Sequence, residues 1–111
     1  MDEKKNIKPD QAQIDKWKAQ FGEVYEITSD ADEEQVFYFR KPDRGQLSRF
    51  AKKVMQDALK AMHTLIFDTL LFPSQEVVNK LFTEKPGMAI PLGSELQTIV
   101  GTNQDFTHRK L

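Results

Sequence analysis

Two histidines, a run of acids, a stripe of cations and a dense set of aromatics are the side chains in this chain with chemistry to offer. His63 and His108 are the only imidazoles. A catalytic histidine needs a partner that orients it. Asp57 stands six residues before His63 and off its helical face, and Asp68 stands five after it, a loose fit to the helical repeat. His63 therefore reads as a boundary residue of a helix, and His108 falls in a polar tail. Asp30, Asp32, Glu33 and Glu34 have the oxygens for a cation. A calcium loop of the helix–loop–helix type needs glycine sixth and glutamate twelfth. Counted from Asp30, those places hold Gln35 and Lys41, so the run reads as a solvated hairpin loop. No phosphate-binding glycine loop, zinc-protease helix or serine-nucleophile elbow occurs. No catalytic residue, metal ligand or cofactor is assigned, and the expectation is a protein that is not an enzyme.

Arg40, Lys41, Arg44, Arg49, Lys52, Lys53 and Lys60 form the cationic stripe, with Phe37, Tyr38 and Phe39 beside it. Cations with stackable rings suit a nucleic acid. The formal net charge is -1, from 16 basic and 17 acidic residues, and that balance argues against a nucleic-acid partner. The aromatics Trp17, Phe21, Tyr25, Phe37, Tyr38 and Phe39 are many for forty residues. Core packing accounts for most. The remainder suit an apolar surface for a protein partner, where Trp and Tyr concentrate. On this chemistry the candidate partner-binding residues are Trp17, Phe21, Tyr38, Phe39, Arg40, Arg44 and Phe67.

The elements that would position these residues follow from periodicity. Pro9 and Asp10 open a helix over 10–21, with Ile14, Trp17 and Phe21 on one face and Gly22 as its stop. Glu23–Thr28 and Val36–Arg40 are strands of a hairpin, closed by Pro42. The aromatic density of the second strand exceeds strict alternation, so both faces are expected to be covered. Asp43 caps the next helical stretch, whose apolar spacing runs to Phe72 before Pro73. Periodicity allows one helix there or two with a break. Ser74 caps a further helix holding Val77, Val78, Leu81 and Phe82. Pro86-Gly87 and then Pro91–Ser94 read as breaks, with Ser94 capping a last helix that Gly101 ends.

The chain reads as a single α+β domain over 1–111, with an N-terminal helix and β-hairpin packed against a helical C-terminal half. Residues 1–8 and 102–111 read as flexible tails. At 111 residues, with 39% hydrophobic and 30% charged residues, this is an ordinary soluble composition. There is no cysteine, which excludes disulfide scaffolds and thiolate chemistry. The polar start and the short Leu65–Phe72 apolar block predict neither a secretion signal nor a membrane span. The expected location is the cytoplasm.

The run Trp17…Phe21-Gly22-Glu23-Val24-Tyr25-Glu26-Ile27, followed by Val36-Phe37-Tyr38-Phe39-Arg40-Lys41-Pro42-Asp43-Arg44…Leu47, resembles small phage and prophage proteins classed with tail assembly chaperones. The ending Leu70-Leu71-Phe72-Pro73-Ser74…Leu81…Pro86-Gly87…Leu92…Leu96…Ile99…Gly101 is similar to the helical ending of that set. The likeness covers residues 17–101 and brings no catalytic motif. It implies a non-enzymatic role in tail morphogenesis in the host cytoplasm. The implied partner is a tape-measure or other tail protein, whose apolar helices would be covered before assembly. Met55, Met62 and Met88 would let such a surface re-pack. The acidic Asp30–Gln35 loop is longer than the pattern needs. A structural virion component, oligomerising through the Leu65–Phe72 face, and a nucleic-acid-binding regulator using the Arg40–Lys60 stripe are the alternatives.

Overall fold

A computed structural model describes residues 8–29, 35–101 and 106–111. In chain order the elements are α1 (Gln11–Phe21), β1 (Val24–Thr28), β2 (Val36–Arg40), α2 (Arg44–Val54), α3 (Ala58–Thr69), β3 (Leu70–Phe72), α4 (Gln75–Glu84), a 3-10 turn (Pro86–Met88) and α5 (Ala89–Ile99). The fold is α+β, with the N-terminal helix and hairpin expected. The expectations for 1–7, for the acidic loop at 30–34 and for 102–105 lie outside the described residues.

Local chemistry sets most boundaries. Asp10 caps α1 by accepting from Gln13 N–H at 2.9 Å. Gly22, at φ +90°, ends it in a conformation that side chains with a Cβ resist. Asp43 and Gln46 form a reciprocal capping box on α2. Ser74 caps α4 through Val77 N–H at 3.3 Å.

The sheet is antiparallel, in the order β1-β2-β3. Phe37 and Phe39 face the helices, their rings 6.3 Å apart, and join a core with Phe50, Leu65, Ile66, Val78, Phe82 and Leu96. Alternation sends Val36, Tyr38 and Arg40 to the opposite face. Val36, Phe37, Tyr38 and Phe39 are all buried, so both faces are covered.

One open alternative is decided and two expectations need correction. The 43–72 stretch takes the broken form: it breaks at Met55–Asp57, where Asp57 caps α3 by accepting from Lys60 N–H at 3.1 Å. The break lets α2 fold back along α3. The stretch also does not stay helical to Phe72. Leu70–Phe72 is a strand, because Pro73 holds Phe72 extended and β2 takes Leu70 and Phe72 as partners. Finally, Pro91–Ser94 is no break. Pro91 lies in the first turn of α5, where a missing N–H costs no helical bond, and Ser94 is inside the helix rather than its cap.

Candidate protein-binding surfaces

The outer sheet face is built from β2 and β3 and covered by α1. Trp17 packs on Tyr38 with centroids 6.0 Å apart, and Phe72 meets Tyr38 edge-on at 6.1 Å. The Arg40 guanidinium lies 5.4 Å from the centre of the Phe21 ring. Despite these contacts α1 has no buried residue of its own, and Phe21 is 37% exposed. The helix rests on the sheet and is not locked into the core.

Tyr38 is anchored from below: its hydroxyl donates to the Glu26 carboxylate across the β1–β2 pair. Burial first, and that bond second, push the Tyr38 phenol up to about 12 from an ordinary value of 10.0. Folding therefore holds the phenol proton more tightly than the unfolded chain does. The resulting stabilisation is complete below pH 10.0 and is lost as pH rises through about 12. Thermal melts across that window should show a falling midpoint, and Tyr38→Phe should flatten the fall. An equal fall in that variant would contradict the assignment. At the rim, the Tyr25 hydroxyl donates to Glu23, which raises Tyr25 and, together with Lys41 at 3.7 Å, lowers Glu23.

The cationic stripe is partly committed to the fold. Arg40 donates to the Asp68 carbonyl at 3.3 Å, as does the buried Gln46 amide. Arg49 pairs with the Asp68 carboxylate at 3.4 Å, and Lys41 with Glu23. Arg44, Lys52 and Lys60 are exposed. Asp68 thus ties Arg40 of β2 and Gln46 and Arg49 of α2 to the end of α3.

The sequence candidates therefore divide. Trp17, Phe21, Tyr38 and Arg40 meet at the α1 seat. Arg44 is exposed in the first turn of α2. Phe39 is fully buried, so its expected place in a partner surface is corrected: it belongs to the core. Phe67 is half-buried in an aromatic trio with His63 and Phe82.

His63 is half-buried as expected, stacked on Phe82 with centroids 5.2 Å apart and planes 13° from parallel. Its Nε2 is buried without a hydrogen-bond partner. An unmet polar atom of this kind costs stability. Replacing His63 by Phe keeps the stack and removes the atom, so urea unfolding should show a gain of about 1 kcal/mol. A loss of stability would mean the imidazole has a favourable role the packing does not reveal.

A second surface was not visible in the sequence. Between β1 and α5 lies a cavity of about 490 Å³. Ile27, Phe37, Met88 and Leu92 supply its apolar wall and the exposed Glu95 borders it, while Glu26 lines it from β1 with its carboxylate turned to Tyr38 on the outer face. Its walls come from residues some sixty positions apart, so only tertiary packing assembles it. Among the described residues no group of three or more His, Asp or Glu side chains is placed to hold a metal ion. Among them, too, no helix is long and apolar enough to cross a membrane.

A family model described as a domain of unknown function, DUF6848, matches residues 17–109. The solved structure of an uncharacterised protein, rbstp2171, from Bacillus stearothermophilus is similar at 31% identity and a TM-score of 0.75. The match covers 86% of this chain and 99% of that one. No curated protein matches the chain.

Proposed function

The chain belongs to the DUF6848 family, and from that premise we propose that it is a non-enzymatic protein-binding module that accepts an amphipathic helix on its outer sheet face. The observation that carries this is the state of α1: a helix with no buried residue covering an aromatic face centred on Tyr38. The Trp17–Tyr38 pair contributes about 0.5–1.5 kcal/mol and the Arg40–Phe21 contact about 0.5–1 kcal/mol. Contacts of that size hold a helix in place but allow its exchange. A partner helix with an aromatic and apolar stripe like Ile14, Trp17 and Phe21 would take the same seat, and α1 would swing out from Gly22. The resident helix then protects the apolar face until a client arrives, as an assembly chaperone requires.

The client class follows from the phage resemblance: the apolar helices of a tape-measure or other tail protein, met in the host cytoplasm. Co-expression with a tape-measure fragment tests this. The protein should keep the fragment soluble, and Tyr38→Asp should abolish that rescue, with circular dichroism checking that the variant keeps its fold. A fragment that precipitates equally with and without the protein would overturn the chaperone reading.

A further inference from the structure

We infer that residues 106–111 of one copy add as a strand to the open edge of β1 in a second copy, with Phe106 filling the cavity between β1 and α5. The edge comes first. Ser29 N–H donates to Gln35 and Lys41 N–H to Glu23, so residues 23, 25, 27 and 29 face β2. The backbone groups of Val24, Glu26 and Thr28 point the other way. Among the described residues nothing pairs with that side. Folded proteins usually blunt such an edge with lysine, proline or a bulge. This one carries Val24, Tyr25, Glu26, Ile27 and Thr28 in regular extended geometry.

The occupant is indicated by residues 106–111, Phe-Thr-His-Arg-Lys-Leu. They lie outside any helix or strand and all are exposed, with Phe106 at 84% and Leu111 at 100%. An aromatic and an aliphatic side chain left in water flank two cations, while the apolar cavity is bordered by Glu95 and the outer side of the β1 edge carries Glu26. Alternation supports the pairing. With Phe106 directed into the cavity, Lys110 falls on the inner side with Glu95, and Arg109 on the outer side with Glu26. Phe106, at 84% exposed, does not fill the groove within its own chain, and a second copy supplies the segment instead. Pairing β1 antiparallel with another β1 centred on Glu26 would instead set Glu26 against its own copy, an unfavourable like-charge arrangement. Reciprocal insertion about a twofold axis fills both grooves.

Sedimentation of the full chain and charge-reversed variants tests the inference. The wild type should be a dimer, and a variant lacking residues 106–111 a monomer. Arg109→Glu with Lys110→Glu, and separately Glu26→Lys with Glu95→Lys, should each weaken dimerisation about tenfold or more. Mixing the two reversed proteins should restore a heterodimer, because each segment then meets a groove of opposite sign. The segment reversal touches only exposed residues, so it stands as the test even if Glu26→Lys disturbs Tyr38. Circular dichroism checks each variant's fold. A monomeric wild type would overturn the inference, as would a dimer indifferent to the deletion and to both reversals.

Discussion

Replacing Phe39 with alanine should destabilise the protein by about 3–5 kcal/mol, the range for truncating a fully buried phenylalanine. Phe39 has no exposed surface and sits on the central strand, stacked with Phe37 and packed among the helices. It also sits where β2 meets both neighbours: it faces Tyr25 on β1 and Leu70 on β3. Removing its ring opens a void where sheet and helices meet, and neither layer can shift to close it without breaking strand pairs. In a domain of this size the loss is a large part of total stability. Urea denaturation measures it. A cost under about 1 kcal/mol, the level of ordinary surface changes, would mean the site relaxes and the core is centred elsewhere.

Valine at Gly93 should cost about 1–3 kcal/mol, the range for overpacking. Gly93 is buried inside α5, and a Cβ placed there would lie 2.4 Å from Met62 Sδ on α3 and 3.4 Å from Met62 Cβ and Cγ. The glycine is thus a contact point between two helices and not a turn residue. Met62 Sδ, the end of a flexible side chain, would have to turn aside, and the two methyls of valine would crowd it further. Truncating Met62 to alanine opens the space, so the double variant should be more stable than the two single losses predict. Strict additivity of the two losses would show that Gly93 matters through its backbone and not through this contact.

That glycine illustrates what was and was not legible from the residues alone. Helix caps and stops were legible because they are local: Asp43 with Gln46, Ser74 and Gly22 each act within four residues. The hairpin was legible from β-branched and aromatic runs. Pro91 and Gly93 misled because both residue types punctuate chains. Their roles here, first-turn proline and helix-contact glycine, depend on position in the helix and on Met62. Leu70–Phe72 misled for a related reason: its apolar spacing suits a helix, and only the need of β2 for a second partner makes it a strand. Asp57 could have been recognised as a cap, since a short polar acid precedes the helical Ala58–Leu59–Lys60.

The candidate surface was half legible. Trp17, Phe21, Tyr38 and Arg40 stood out by residue type, and they do converge. Phe39 stood out for the same reason, but strand alternation puts it on the core side. Type alone does not separate the two faces of a strand in which every residue is bulky. The β1–α5 cavity carried no sequence signal, because Glu26 and Glu95 are unremarkable until the fold brings their elements together.

Trp17 is the only tryptophan in the chain, so its fluorescence reports directly on the α1 seat. Titrating an amphipathic helical peptide from a tape-measure protein into the full chain is the most direct test of helix exchange. Helix exchange should give a saturable red shift, as Trp17 leaves Tyr38 for water, and Tyr38→Asp should lose that shift. Saturable binding with no change at Trp17 would place the client elsewhere and contradict exchange at this seat. So would the absence of any binding.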